Sequence, residues 1–414
     1  MNSSTKKKLF NQNSNRFYYV WNYLEWGGAQ IYFLSIMRFV AQNYPVKVIL
    51  PENSPEKLLS YLKSSNIEFE FFKGKIDLAK AETLSRRIQR RFNDYLCNLR
   101  LAKHLSQQEL TNSVVHIDVA PWSSFTLLIY LVFRTNIFLT FHTPLPKISN
   151  WRKILWKLKF RVLTEFKNFN LVASNQKVKD SLQSFISLKT YNEIRVAYSS
   201  INLIEIDENL ESQPSHKEIA DKYDLPPEKF WLCNVGQFIE RKGCWVLLDT
   251  LKNLVKIRKD IFFYWLGTAP LNPEILERVK SYDLGEYFRF FSADEIGSQR
   301  ADLLHFLSAA DLFVMPSLEE GLPVALIEAM ALGKCCIASD TDAIPEAVEH
   351  LQTGFLIAPN DSVMLGDAIE NLLRDASLRR ELGNNAREKV IEKFNDKKLG
   401  EIMLELYEKA LDDK

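Results

Sequence analysis

Glu320 and Glu328 stand in the stretch PSLEEGLPVALIEAMALG, Pro316 to Gly333, with seven residues between them. The stretch starts at the end of an apolar run, turns at Glu320-Gly321 and predicts a helix entered at Pro323. Proline in the first helical turn and glycine, Gly333, just past the last follow the usual asymmetry of helix ends. A helix beginning there presents the N–H groups of Gly321, Leu322 and Val324 with a partial positive charge behind them, which suits a diphosphate. Carboxylates repel a bare anion, so Glu320 and Glu328 make sense as acceptors of hydrogen bonds from the hydroxyls of a sugar and a ribose. A nucleotide sugar has both. The plain alternative is two surface glutamates on an ordinary helix, and the strand–loop–proline–helix context argues against it.

Other residues join this chemistry. VGQFIERKG, Val235 to Gly243, is a glycine-bearing strand end followed by a cation, Lys242, a plausible diphosphate grip. In the first half, Gly27 and Gly28 of EWGGAQ let the backbone approach a phosphate at the start of a helix, although a plain turn explains a lone Gly-Gly pair. His142 in FLTFHTP stands at the carboxyl end of a β-rich run, followed by Thr-Pro, which favours a cleft position. A lone histidine is otherwise more often structural, and His116 in VVHIDVAP reads as core or cleft wall. No clear D-x-D metal pair lies near a strand end, although SADE occurs at Ser292 to Glu295.

The elements that must hold these residues are legible as patterns. In the C-terminal half, WLCNVGQF, IFFYWLG, YFRFF, DLFVMPS, KCCIAS and GFLIAP are short apolar runs separated by amphipathic stretches such as CWVLLDTLKNLVK and MLGDAIENLLRD. Near-continuous apolar strands alternating with helices imply a parallel sheet covered on both faces, with ligands beyond the carboxyl ends of its strands. The N-terminal half repeats the theme in RFYYVWNYL, VKVILP, SVVHIDVAP, NIFLTFHTP and NLVAS, and KAETLSRRIQRRFNDYLCNLRLAKHL predicts one long basic helix. The expected fold is α/β, two doubly wound Rossmann-like domains facing a cleft. Residues 1–198 form the first domain, 199–229 a polar connection, 230–385 the second domain, and 386–414 C-terminal helices free to cross back to the first.

The string SLEEGLPVALIEAMALGKCCIAS resembles the signature of glycosyltransferase family 4, E-x7-E within a string like S-x-x-E-G-F-P followed by E-A-M-A-x-G. TDAIPEAVEHLQTGFLIAPND continues the likeness, which is specific over Trp231 to Asp361 and weaker on the N-terminal side. The resemblance implies a GT-B type fold and transfer of a hexose-type sugar, with retained anomeric configuration, from a nucleoside-diphosphate sugar to a glycan or lipid-linked acceptor. It implies no required metal and no other cofactor. VGQFIERKG is similar to the family's V-G-R-x-x-x-x-K-G, so Lys242 is implied to bind the donor diphosphate. Gln237 holds the family's arginine position and removes one positive charge; Arg241 adjoins Lys242, although neighbouring side chains generally point differently. EWGGAQ resembles the family's G-G-A-E-type loop, and His142 matches a histidine that faces the transferred sugar. In the implied mechanism Lys242 and the helix start at Gly321–Val324 stabilise the leaving diphosphate, Glu320 holds sugar hydroxyls and Glu328 the ribose. SNQKVKDSL looks like the family's segment opening a late helix of the first domain, with Ser174 as its cap. In VAYSSINLIEI, Ser200 and Asn202 replace the Gly and Asp of the family's N-G-V-D string.

A chain of 414 residues is long enough for two cores, and 46% hydrophobic with 25% charged residues is a globular balance. The net charge of +1 hides an asymmetry. Residues 1–195 carry 29 Lys and Arg against 13 Asp and Glu, a net of +16, and the remainder 24 against 39, a net of −15. A basic half attracts phosphates or an anionic membrane surface, a candidate partner, unless both halves are simply solvated. Within it, Lys147 to Leu163 sets Ile148, Leu155, Leu158 and Val162 at approximate helical spacing among six cations, with Trp151 and Trp156 interleaved. That is the composition of an interfacial helix, or of one packed on its own sheet. Five cysteines without a C-x-x-C pair suit a reducing cytosol. The basic N-terminus lacks the apolar core of a signal peptide, and VAPWSSFTLLIYLVF is shorter than a spanning helix. The expectation is a cytoplasmic protein, free or peripheral on the inner face of the membrane, with no nucleic-acid partner. Two rivals stand beside it: another GT-B type enzyme such as a nucleotide-sugar epimerase or a phosphorylase, and a non-catalytic relative binding a sugar nucleotide or a partner protein, which Gln237 keeps open.

Overall fold

In the computed structural model the described residues are 15–21, 28–77, 83–146, 148–267, 269–297 and 300–413. They divide into two units, Met1–Tyr198 with Asp396–Lys414, and Ser199–Asn395. The first unit is built on β1 (Arg16–Val20), β2 (Val46–Pro51), β3 (Glu68–Phe72), β4 (Ser113–Ile117), β5 (Asn136–Phe141), β6 (Phe169–Ala173) and β7 (Arg195–Val196). These pair in parallel in the order β3-β2-β1-β4-β5-β6-β7. Helices cover both faces, so β4 and β5 are buried at every position and read as continuous runs rather than alternating ones. β3, EFEFF, differs because it is an edge strand: Glu68 and Phe71 are exposed, and Lys47 of β2 pairs with both Glu68 and Glu70.

The second unit holds β8 (Phe230–Val235), β9 (Ile261–Gly267), β10 (Phe288–Ser292), β11 (Leu312–Met315), β12 (Cys335–Ser339) and β13 (Phe355–Ile357), parallel in the order β10-β9-β8-β11-β12-β13. Each sheet starts in its middle, winds outward one way and then the other, so each unit is doubly wound as expected. The strand order reverses between β1 and β4 and between β8 and β11, the points beyond whose carboxyl ends open α/β sheets bind ligands.

The polar stretch 199–229 is not an open connection. Asn202 caps helix Leu203–Glu211, a Ser215–Glu218 capping box starts helix His216–Tyr223, and both helices belong to the second unit. Polar residues that suggest a linker are serving as helix caps. Near the other end, helix Ala376–Lys393 stays in the second unit while helix Asp396–Asp412 belongs to the first. This last helix packs on helix Gly28–Val40, and Gly400 permits the approach, since a Cβ there would meet Phe39 Cγ at 2.1 Å. Its Leu399, Met403 and Tyr407 are wholly buried in a core with Phe17, Tyr19 and Tyr32. Fully burying one such side chain contributes roughly 1.5–3 kcal/mol, so the chain's last helix is a structural part of the first sheet's covering. Cys233, Cys244, Cys335 and Cys336 are buried, Cys97 is half-buried, and all five are free thiols.

Candidate functional site

Adjacent strands β8 and β11 each end in a loop, and the two loops touch. After β8 the chain makes a tight 3-10 turn, Glu240–Lys242, closed by Gly243 at φ 72°. A Cβ on Gly243 would fall 1.8 Å from the carbonyl oxygen of Pro316, just past β11, so only glycine permits this approach. The Leu318 N–H donates to the Arg241 carbonyl at 2.8 Å, and Arg241 Nη1 donates to the Glu319 carbonyl at 3.2 Å. The approach pairs Lys242 Nζ directly with Glu320 Oε1 and sets Arg241 Nη1 3.5 Å from Glu320 Oε2. Neighbouring Arg241 and Lys242 therefore converge on one carboxylate instead of diverging, each taking a different oxygen. Glu320 is buried, and its N–H donates to Asp342 Oδ2 at 2.9 Å. Gln237 is exposed in the loop between β8 and the turn.

The helix after Glu320 runs Val324–Ala331, and Pro323 is its N-cap residue in an extended conformation, not a residue of its first turn. Gly321 and Leu322 precede it, and the N–H groups of Val324 and Ala325 fall in a first turn that has no intrahelical acceptors for them. Gly333 ends the helix at φ 72°, with Lys334 N–H on the Ala329 carbonyl and Gly333 N–H on the Met330 carbonyl, both at 3.0 Å. Glu328, fifth in this helix, is 3% exposed. Its Oε1 pairs with Arg300 Nη2, and Arg300 Nε donates to Glu205 Oε2 at 3.0 Å. Burial works against the Arg300 charge, but Glu328 and Glu205 outweigh it and hold its pKa above the usual value. Sequence reasoning missed Arg300, Glu205 and Asp342: Arg300 stands in no motif, and Glu205 in VAYSSINLIEI and Asp342 in TDAIPEAVEHLQTGFLIAPND carry no local sign of the partners they meet.

The string SADE is a helix start. Glu295 accepts from the Ser292 N–H at 2.7 Å and hydroxyl at 2.9 Å, closing a capping box. Among the described residues no group of three His, Cys, Asp or Glu is placed to hold a metal. A cavity of about 510 Å³ between helix Pro273–Lys280 and edge strand β10, lined by Leu276, Val279, Phe288 and Phe290, includes none of the site residues expected above.

In the first unit Gly27 lies outside the described residues, and Gly28 opens helix Gly28–Val40 after β1. His142 follows β5, with Nε2 3.5 Å from Oδ2 of Asp118, which follows β4, and its ring meets Tyr32 edge-on at 4.8 Å. Burial pushes the His142 pKa down to about 4, so the ring is neutral near pH ~7. His116 is core: its Nδ1 lies 2.5 Å from the Tyr407 hydroxyl and its Nε2 2.8 Å from Thr140 Oγ1. Ser174 is not the cap of helix Gln176–Leu182; Asn175 takes the Val178 N–H at 2.8 Å, and Ser174 Oγ donates to the His142 carbonyl at 3.4 Å. Asn175 fills the N-cap position itself, one residue nearer the helix.

The basic segment beginning at Lys147, itself outside the described residues, forms helix Asn150–Thr164, with Ile148 before it. It buries Trp156, Phe160 and Leu163, and Trp156 stacks on Trp122 at 3.8 Å. Leu155, Leu158 and Val162, the stripe expected from the sequence, lie on the exposed side. No helix among the described residues is long and apolar enough to cross a membrane.

A carboxylate is thus held between two cations at the switch point of a doubly wound α/β sheet, beside a helix start. Residues 215–389 match the family model described as glycosyl transferases group 1. It is 26% identical over 194 residues to N-acetyl-alpha-D-glucosaminyl L-malate synthase of Bacillus anthracis, covering 47% of this chain and 49% of that protein. It is 31% identical over 186 residues to alpha-maltose-1-phosphate synthase of Mycolicibacterium smegmatis, covering 42% and 47%. The chain thus spans about half the length of these curated relatives. A third relative, N,N'-diacetylbacillosaminyl-diphospho-undecaprenol alpha-1,3-N-acetylgalactosaminyltransferase of Campylobacter jejuni, is 31% identical over 112 residues, 27% of this chain and 30% of that one. In fold the chain is similar to a glycosyltransferase of Rickettsia africae, with TM-score 0.76, 20% identity and coverage of 97% and 99%. It is also similar to Anabaena HepE in complex with UDP, with TM-score 0.73, 16% identity and coverage of 95% and 100%. The fold is the GT-B type of these glycosyltransferases.

Proposed function

We propose that the chain is a retaining glycosyltransferase that moves a hexose-type sugar from a nucleoside-diphosphate sugar to a glycan or lipid-linked acceptor and requires no metal. The observation that carries this reading is the convergence of Lys242, Arg241 and Glu320 beside the helix start at Val324, at the β8–β11 switch point. In this reading Lys242 exchanges Glu320 for oxygens of the departing diphosphate, and the helix start adds backbone N–H groups. Glu320, released from Lys242, takes sugar hydroxyls. Glu328, oriented by Arg300, takes the ribose, since a carboxylate bonded through one oxygen retains acceptor capacity. Neutral His142 offers hydrogen bonds on the sugar side, and Gly28 lies at the start of a helix that can approach a phosphate. Arg241 supplies the second cation that Gln237 withholds. The UDP bound by HepE and the diphospho-undecaprenol in the Campylobacter enzyme's name support a nucleotide donor and a lipid-linked acceptor. Cytoplasmic placement, peripheral on an anionic membrane face, belongs to the same reading and rests on the +16 charge of residues 1–195.

The test is thermal stabilisation by UDP-, GDP- and ADP-sugars, run beside Glu328→Gln. One-site binding at a hundredfold excess over Kd stabilises by about 2.7 kcal/mol. One nucleotide series should raise the wild-type Tm and leave the variant unmoved; no response to any series would remove the donor reading. Gln237 favours a second reading, a non-catalytic sugar-nucleotide binder. A large gain in nucleotide affinity without transfer in Gln237→Arg would support that one.

A further inference from the structure

Helix Leu84–Leu105 carries Leu84, Ile88, Phe92, Tyr95 and Leu99, spaced so that all five lie on one face. Each is between 46% and 74% exposed, and no residue from 84 to 95 is buried. Helix Asn150–Thr164 repeats the pattern opposite its own buried Trp156, Phe160 and Leu163. There Trp151, Ile154, Leu155, Leu158 and Val162 are between 40% and 69% exposed. A surface helix ordinarily turns its apolar stripe inward and its polar face to water. These two present apolar stripes outward.

Both helices cover the same face of the first sheet. Leu101 and Leu105 of one share a core cluster with Trp156, Phe160 and Leu163 of the other, and helix Phe125–Val132 packs against both. The stripes are edged by positive charge. Leu84–Leu105 carries Arg86, Arg87, Arg90, Arg91, Arg100 and Lys103 with Asp94 as its one carboxylate, and Asn150–Thr164 carries Arg152, Lys153, Lys157 and Arg161 with no carboxylate. Lys159 is used internally, its Nζ donating to the Trp122 carbonyl at 2.6 Å.

From this juxtaposition we infer that the two helices form a single docking surface for an anionic lipid bilayer, the apolar stripes entering the acyl boundary and the arginines and lysines meeting the headgroups. This deepens the peripheral part of the proposed function and rests on it, since that reading used only the net charge of residues 1–195 and named no docking surface. Charge selects the occupant. A second copy docked on the same patch through a two-fold axis would set these cations against their own equivalents, whereas an anionic headgroup layer complements them while accepting the apolar stripe.

The test is co-sedimentation of the full chain with phosphatidylcholine vesicles, with and without phosphatidylglycerol, at low and raised salt. Wild type should bind the phosphatidylglycerol vesicles and lose binding as salt screens the headgroups. Ile88→Glu with Phe92→Glu, and separately Leu155→Glu with Leu158→Glu, should each weaken vesicle partition by at least about tenfold. Arg87→Gln with Arg91→Gln, which spares the stripe, should weaken it several-fold. All these positions lie outside the β8–β11 site, so nucleotide-dependent stabilisation should be unchanged in every variant and serves as the check on folding. If the Ile88/Phe92 variant binds as wild type while the Leu155/Leu158 variant does not, the two-helix surface is wrong and the peripheral reading survives. No binding of wild type to anionic vesicles sinks both. Equal binding to neutral vesicles, or self-association of wild type abolished by the same substitutions, overturns the anionic bilayer as occupant.

Discussion

At the residue scale the candidate site is organised by ion pairs, whose partners exchange in the proposed mechanism. Lys242 and Arg241 flank Glu320, and Arg300 sits between Glu328 and Glu205. Lys242→Met should lower transfer about 10²–10³-fold, the scale of losing one preorganised electrostatic contact, and should abolish stabilisation by nucleotide; transfer assays with the donor found by the thermal screen would check both. Gly243→Ala should be worse than its size suggests. It combines a left-handed backbone, costing about 1–2 kcal/mol, with a Cβ 1.8 Å from the Pro316 oxygen, so the loops must part and Lys242 must leave Glu320. A denaturation midpoint equal to wild type would contradict this. His142 supplies a pH dependence. Its folded pKa, about 4, lies below its ordinary 6.5, so the unfolded chain binds more protons between those values. Stability present above pH 6.5 is therefore lost as pH falls toward about 4, by up to about 3 kcal/mol for this group. Wild type should lose more stability over that window than His142→Gln, and parallel curves would show that the ring is not held neutral.

At the element scale, helix Asp396–Asp412 makes the case for long-range assembly. Tyr407 places its hydroxyl 2.5 Å from His116 Nδ1 inside the first unit. Tyr407→Phe leaves that buried nitrogen without its partner, a loss of about 1–3 kcal/mol measurable by chemical denaturation, and it should leave nucleotide binding alone. The elements also show where pattern reading succeeds. β4, β5, β8, β9 and β11 are apolar runs in the sequence because both sheet faces are covered. β3 escaped notice because an edge strand tolerates EFEFF, where glutamates are paired laterally by Lys47. Caps were harder: Asn175 rather than Ser174 opens its helix, and Pro323 precedes rather than starts Val324–Ala331. Adjacent polar residues differ by one position, and only backbone dihedrals tell them apart.

At the scale of the whole molecule, two units with separate cores hold the two halves of the proposed chemistry. The nucleotide candidates Lys242, Glu320 and Glu328 lie in the second unit, and His142 with Gly28 in the first. Calorimetry should therefore resolve a transition raised by nucleotide when the second unit unfolds, and Glu328→Gln should remove that increment without moving the part carried by the first unit. A nucleotide shift that persists in the variant would place donor binding elsewhere. Deleting residues 396–414 should destabilise the first unit selectively, since Leu399, Met403 and Tyr407 fill its core.

What the sequence determined by itself is whatever short-range chemistry writes locally: the apolar runs of two parallel sheets, the glycines and proline around Val324–Ala331, the spacing of Glu320 and Glu328, and the basic character of residues 1–195. What tertiary structure alone decided is which distant charges meet. Lys242 finds Glu320 across 78 positions, Arg300 finds Glu205 across 95, and His116 finds Tyr407 across 291. It also decided which way the stripe of helix Asn150–Thr164 faces. Helical spacing defines a stripe but carries no information about its direction; the sheet beneath claims Trp156, Phe160 and Leu163, and the opposite stripe is left to whatever lies outside.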